Sequence, residues 1–107
     1  MIETKSYRSA AGSTPFDEWL EGLRDRGAHA RIFARLAKVR GGNFGDCKSV
    51  GGGVQELRID HGPGYRIYFG RHGQTLVLLL CGGDKRTQSR DILNARSYWN
   101  DWQEHNR

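Results

Sequence analysis

"GPGYRIYFGRHGQTLVLLLCGGDK", residues 62–85, is the stretch that decides how this chain folds. Tyr65, Ile67 and Phe69 alternate with Arg66 and Tyr68, the period of a strand with one face turned to a core. After the turn "RHGQ", the run "TLVLLLC" has no polar side at all. A continuous apolar run of that length predicts a central strand covered on both faces. Just upstream, "VQELRID" alternates as well, with Leu57 and Ile59 opposite Glu56 and Arg58, and "HGPG" supplies the connecting turn. Three such segments joined by tight turns predict an antiparallel meander.

Toward the N-terminus the grammar changes. "GGNFGDCKSVGGG" holds six glycines in thirteen residues and reads as loop. Before it, Ile32, Phe33, Leu36 and Val39 line one side of a helix from about Ala28 to Arg40, ended by Gly41 and Gly42. Arg31, Arg35 and Lys38 form a basic stripe on another side. Earlier still, Phe16, Trp19, Leu20 and Leu23 fall on one helical face, with Gly27 as a stop. "STPF" starts that helix: Ser13 or Thr14 caps it, Pro15 suits its first turn, and Asp17 adds a capping-box contact. "MIETKSYRS" reads as a first strand. At the other end Gln88, Ile92, Ala95, Tyr98, Trp99 and Trp102 recur at helical spacing.

The predicted architecture is α+β: strand, two helices, three antiparallel strands, then a C-terminal helix. In this reading the antiparallel sheet packs on a helical hairpin, with the helices segregated to one face. The other face is left to present Arg58, Arg66 and Tyr68.

At 107 residues the chain predicts one domain, residues 1–107, with a single thin core. Seventeen Lys+Arg against twelve Asp+Glu give a net charge of +5, which suits a polyanionic partner, nucleic acid or an acidic protein. A solvated basic surface would give the same balance. Cys47 and Cys81 make no disulfide framework, and "MIETKSYRSA" lacks the apolar core of a signal peptide. No apolar run is long enough to span a bilayer. A reducing cytoplasm is the expected location.

Arg58 and Arg66 sit on neighbouring strands of the meander and point away from its core face. Planar, permanently charged guanidiniums suit phosphate. Lys48 enters from the glycine loop, and Lys85 and Arg86 follow the last strand. The alternative is a solvated sheet face, its charge partly paired with Glu56 and Asp60. His61 lies in a turn near this groove, either as a proton-transfer group or as a solvated turn histidine. No His or Cys has metal-ligand spacing, and neither a nucleophile elbow nor a phosphate loop is present. The tail aromatics fit core or interface better than base stacking.

Across residues 16–92, with "GNFGD", "ELRI", "GPGYRIYF" and "LLLCGGDK", the chain resembles toxins of type II toxin–antitoxin modules in the RelE/ParE superfamily. It is most similar to the phage Gp49-like, HigB-type branch called addiction module killer proteins. The resemblance implies a small β-α-α-β-β-β unit and, for ribonuclease members, metal-free and cofactor-free cleavage of mRNA on the ribosome. There the substrate 2'-hydroxyl attacks its neighbouring phosphate, and the protein supplies proton transfer and cations. On that implication Arg66, Lys85 and Arg58 form the catalytic set. Lys48, Arg86, His61 and Tyr68 line the RNA path. Glu56 departs from the pattern, standing where RelE carries a lysine, and Ile92 occupies roughly the place of its C-terminal tyrosine. The ParE branch shares the fold and implies a different target, DNA gyrase, inhibited without catalysis. Both branches imply a cognate antitoxin, a small helix-turn-helix protein whose acidic segments cover the groove.

Overall fold

The computed structural model describes residues 1–106. Its centre is a five-stranded mixed sheet in the order β1-β5-β4-β3-β2. The strands are β1 (Glu3–Ser6), β2 (Cys47–Gly51), β3 (Val54–Ile59), β4 (Tyr65–His72) and β5 (Leu76–Gly83). β2 through β5 pair antiparallel, and β1 adds to β5 in parallel, so the sheet is not purely antiparallel as expected. Three helices accompany it: α1 (Pro15–Gly22), α2 (Arg26–Arg40) and α3 (Gln88–His105), with a 3₁₀ turn over Lys85–Thr87 leading into α3. Among the described residues no helix is long and apolar enough to cross a membrane.

The meander forms where its alternation predicts it. Leu57, Ile59, Tyr65, Ile67 and Phe69 join Val77 and Leu79 in one core, closed by Phe16 of α1 and by Ile32, Leu36 and Val39 of α2. This is the hairpin side.

The other face corrects the sequence reading. It is not free, and the helices are not on one side. α3 lies across that face, placing Ala95 and Trp99 against Tyr7, Val54, Tyr68, Leu78, Leu80 and Cys81 in a second core. Tyr68 is completely buried there. The apolar spacing of α3 and the two-sided apolarity of β5 are one fact seen twice, since each requires the other as cover.

Two aromatic rings close the layers through glycines. Trp99 lies over Gly70 on the α3 side, and Trp19 lies over Gly82 on the hairpin side; a methyl group at either glycine would stand 2.3 Å from the ring. Between Tyr68 and Phe69 the β4–β5 register slips, so that Leu80 is an extra residue. This bulge turns both Leu80 and Cys81 to the α3 side and brings Gly83 opposite Arg66. Bulges of this kind re-aim the residues beyond them.

Three local details also differ from expectation. The glycine-rich segment contains β2, because Cys47 and Val50 pack at the sheet edge, while five of the segment's six glycines lie outside the strand. α1 is closed at its start by Glu18, which accepts from the Thr14 amide (2.9 Å) and the Ser13 hydroxyl (3.0 Å); Asp17 instead accepts from Ser6. α2 begins earlier than expected, because Asp25 caps it through the Ala28 amide and carries Gly27 inside the first turn.

Candidate functional site

Arg58 and Arg66 are direct cross-strand partners on β3 and β4. Two like charges opposite each other disfavour a sheet unless something neutralises them. The neutralising group is Glu56. Two residues before Arg58 on the same face, its carboxylate is fully buried and flanked by both arginines. Arg58 Nε lies 3.7 Å from Glu56 Oε1, and Arg66 Nε lies 3.5 Å from Oε2. The Tyr68 hydroxyl (3.1 Å) and the Gln88 side-chain amide (2.8 Å) both donate to Oε2. Burial, followed by the Glu56 charge, pushes the Tyr68 phenol far above its ordinary pKa, so it remains a hydrogen-bond donor.

The two arginines also line an open groove of about 240 Å³, together with Asp46, Ile59, Asp60, Gly64 and Tyr65. Arg66 Nη1 donates to the Gly64 carbonyl at 3.0 Å, and Arg58 Nε also faces Asp46 Oδ1 at 3.6 Å. Both guanidiniums therefore direct their Nε edges to the Glu56 carboxylate, with Arg58 shared between Glu56 and Asp46, while both residues line the groove. Asp46 is held from below by Arg35. That side chain donates to the carbonyls of Arg58, Phe44 and Asp46, clasping the segment before β2 to β3. Arg35 is thus a staple and not a member of a solvent-facing basic stripe.

The remaining candidates divide. Lys48 is exposed on β2 as the cross-strand partner of Glu56, at the edge of the same face. Lys85 is exposed in the 3₁₀ turn that follows β5, two positions beyond Gly83, the residue paired with Arg66. Arg86, in that same turn, pairs with Asp84 at 3.2 Å. Tyr68 lies beneath the arginines, under α3, and acts on Glu56 from within the core.

His61 belongs to the other side of the sheet. Its Nε2 lies 3.0 Å from Asp25 Oδ2, and its ring stacks near Tyr65. Asp25 thus joins two jobs, capping α2 and holding the β3–β4 turn. The Ala28 amide, with a smaller contribution from His61, keeps the Asp25 carboxyl below the usual carboxylate range despite some burial. A folded-state value below the unfolded one adds stability above the unfolded pKa of about 4, and that stability is lost as pH falls through the lower folded value. Asp25→Asn keeps the cap without the titration. Thermal melts should show a steeper acid-side fall in Tm for the wild type than for Asp25→Asn; parallel curves would remove Asp25 from the acid response.

Glu56 and Gln88 complete the site and were not among the candidates. The β3 alternation already put Glu56 on the arginine face, which was the available signal. Gln88 had none, because its role depends on α3 crossing that face.

No family model matches the chain. An uncharacterized protein of Haemophilus influenzae (strain KW20 / Rd) is 53% identical over 81 residues, which is 76% of this chain and 82% of that protein. The chain belongs to the family of that protein. An identity spread over 81 residues exceeds what any single helix or strand could supply, since α3, the longest element, has 18 residues.

Proposed function

We propose that the protein is the toxin of a type II toxin–antitoxin module, of the RelE/ParE type, and that it cleaves mRNA on the translating ribosome. The observation that carries this reading is the Arg58/Arg66 pair. Two cations fixed as cross-strand partners on adjacent strands line one open groove of about 240 Å³, room for a phosphodiester and part of a nucleotide. Rigid strands pre-organise such donors, and donors placed before the charge develops stabilise it most.

In the reaction the 2'-hydroxyl oxygen attacks the adjacent phosphorus and gives up its proton. The P–O5' bond breaks, and the leaving oxygen takes a proton to become a 5'-hydroxyl. The other product is a 2',3'-cyclic phosphate. Arg58 and Arg66 stabilise the extra negative charge on the phosphorane oxygens, and Lys85 adds a cation from the turn beyond Gly83. Asp46 and Asp60 are the carboxylates of the groove lining, and in this reading one of them accepts the first proton. The net positive charge and open groove suit RNA and, when the toxin is silenced, acidic segments of a cognate helix-turn-helix antitoxin.

Induction of the isolated gene should arrest growth, and sequencing of RNA ends should reveal 5'-hydroxyl termini inside translated frames. Any ribosome-free cleavage that survives purification should persist in EDTA. Co-expression of the antitoxin should restore growth. Intact transcripts together with altered plasmid supercoiling would overturn the nuclease reading and assign the protein to gyrase inhibition.

A further inference from the structure

Among the described residues three buried side-chain polar atoms lack a hydrogen-bond partner, and all three belong to the cluster around one carboxylate: Glu56 Oε1, Arg58 Nε and Arg66 Nε. Unpaired buried groups are costly, and their convergence calls for a reason. The distances supply it. At 3.5–3.7 Å the Glu56 oxygens hold both guanidiniums by charge without fixing either in a short hydrogen bond. The carboxylate itself cannot drift, because Tyr68 and Gln88 donate to Oε2 from the α3 side.

From this arrangement we infer that Glu56 is a positioning residue for the paired arginines, an internal counter-ion that draws both Nε edges to one buried carboxylate and so sets the two guanidiniums for one phosphodiester. This rests on the phosphate-site reading of the groove. Glu56 touches no substrate, since none of its surface reaches solvent. Its effect on an anionic ligand is two-sided. Its charge opposes binding of the phosphate, while its position aligns the groups that stabilise the transition state. A residue of this kind lowers ground-state affinity and raises the rate of the chemical step, which separates it from a residue that only supports the fold.

The test is Glu56→Gln, which keeps size and an acceptor for Tyr68 while deleting the charge. Affinity for a short single-stranded oligoribonucleotide, read by fluorescence anisotropy, should stay equal or tighten. Cleavage at saturating RNA should slow by at least about tenfold, toward the roughly hundredfold that a one-ångström misplacement of catalytic groups can cost. Unchanged cleavage with tighter binding would overturn the inference, leaving Glu56 a mere competitor. Parallel losses of rate and folded fraction would also overturn it, leaving a structural role.

A second measurement needs neither activity nor a stable variant. In wild-type protein, ¹H–¹⁵N spectra of the arginine side chains should show slowly exchanging Nε–H signals for Arg58 and Arg66. Inorganic phosphate should move their Nη signals more than the Nε signals. Fast-exchanging Nε–H groups would overturn the positioning role. Protected Nε–H groups with no response to phosphate would instead support positioning and remove the phosphate-site reading on which the function rests.

Discussion

Arg66→Ala is expected to abolish RNA cleavage and, separately, to lower the melting temperature of the protein. The first effect follows from the lost charge-assisted contact to the phosphorane, since removing one such donor slows catalysis by about 10²–10³-fold. The second follows from Glu56. The Arg66 side chain is only 12% exposed and faces a carboxylate with no exposure at all, so truncation leaves a buried charge one cation short. Breaking a buried pair costs about 3–5 kcal/mol when nothing else compensates. Arg58, Tyr68 and Gln88 still surround Glu56, which places the expected loss nearer the lower end. The double variant Arg66→Ala/Glu56→Gln separates the two effects. It should recover most of the lost stability, because the uncompensated charge is gone, and recover none of the activity. Arg31→Ala, exposed on α2, should change neither. If the double variant is as unstable as Arg66→Ala, the Glu56 charge is not what Arg66 compensates. If Arg66→Ala still cleaves, the groove is not the site of chemistry.

The stability half of that prediction differs from what the sequence alone suggests, and the reason is instructive. Alternation in "YRIYFG" correctly separates Arg66 and Tyr68 from Ile67 and Phe69, because strand period is a local property of the backbone. Alternation says which residues share a face but not what covers it. For the hairpin side, cover was legible, since Phe16, Ile32, Leu36 and Val39 present an apolar stripe near in sequence. For the other side the cover is α3, whose stripe of Ile92, Ala95, Tyr98 and Trp99 read equally well as an interface for another molecule. The two-sided apolar run in β5 held the answer, because Leu78 and Leu80 need a partner layer as much as Val77 and Leu79 do. β2 was hidden for a different reason. Its five residues sit among glycines, and the edge pairing of Cys47 with Leu57 and Lys48 with Glu56 draws on β3 and not on its own side chains. The arginine pair was legible from spacing, whereas the Glu56–Tyr68–Gln88 support joins three elements and exists only in the folded chain.

Trp99→Ala should be the most damaging single core substitution on the α3 side. The ring is 4% exposed, stacks on Trp102 at 5.4 Å between centroids, and covers Gly70 so closely that no side chain fits there. Large aromatic truncations in cores cost about 3–5 kcal/mol, and total domain stability is only about 5–15 kcal/mol. Chemical denaturation should show the loss as a lower midpoint, and part of the chain should precipitate as the Leu78/Leu80 face is uncovered. Leu93→Ser, on the exposed side of the same helix, should leave the midpoint nearly unchanged. Deleting residues 98–107 removes Trp99 and Trp102 together, so loss of toxicity after such a deletion reports a missing core layer and says nothing about a partner bound by the tail. The point mutants avoid that confusion: a tail that served only to dock a partner would leave Trp99→Ala with a normal melt, and a normal melt would show that α3 is not the second cover of the sheet. A cooperative transition shifted to lower denaturant, with Leu93→Ser unmoved, places the helix inside the fold, where Gln88 can hold Glu56 beneath the arginines.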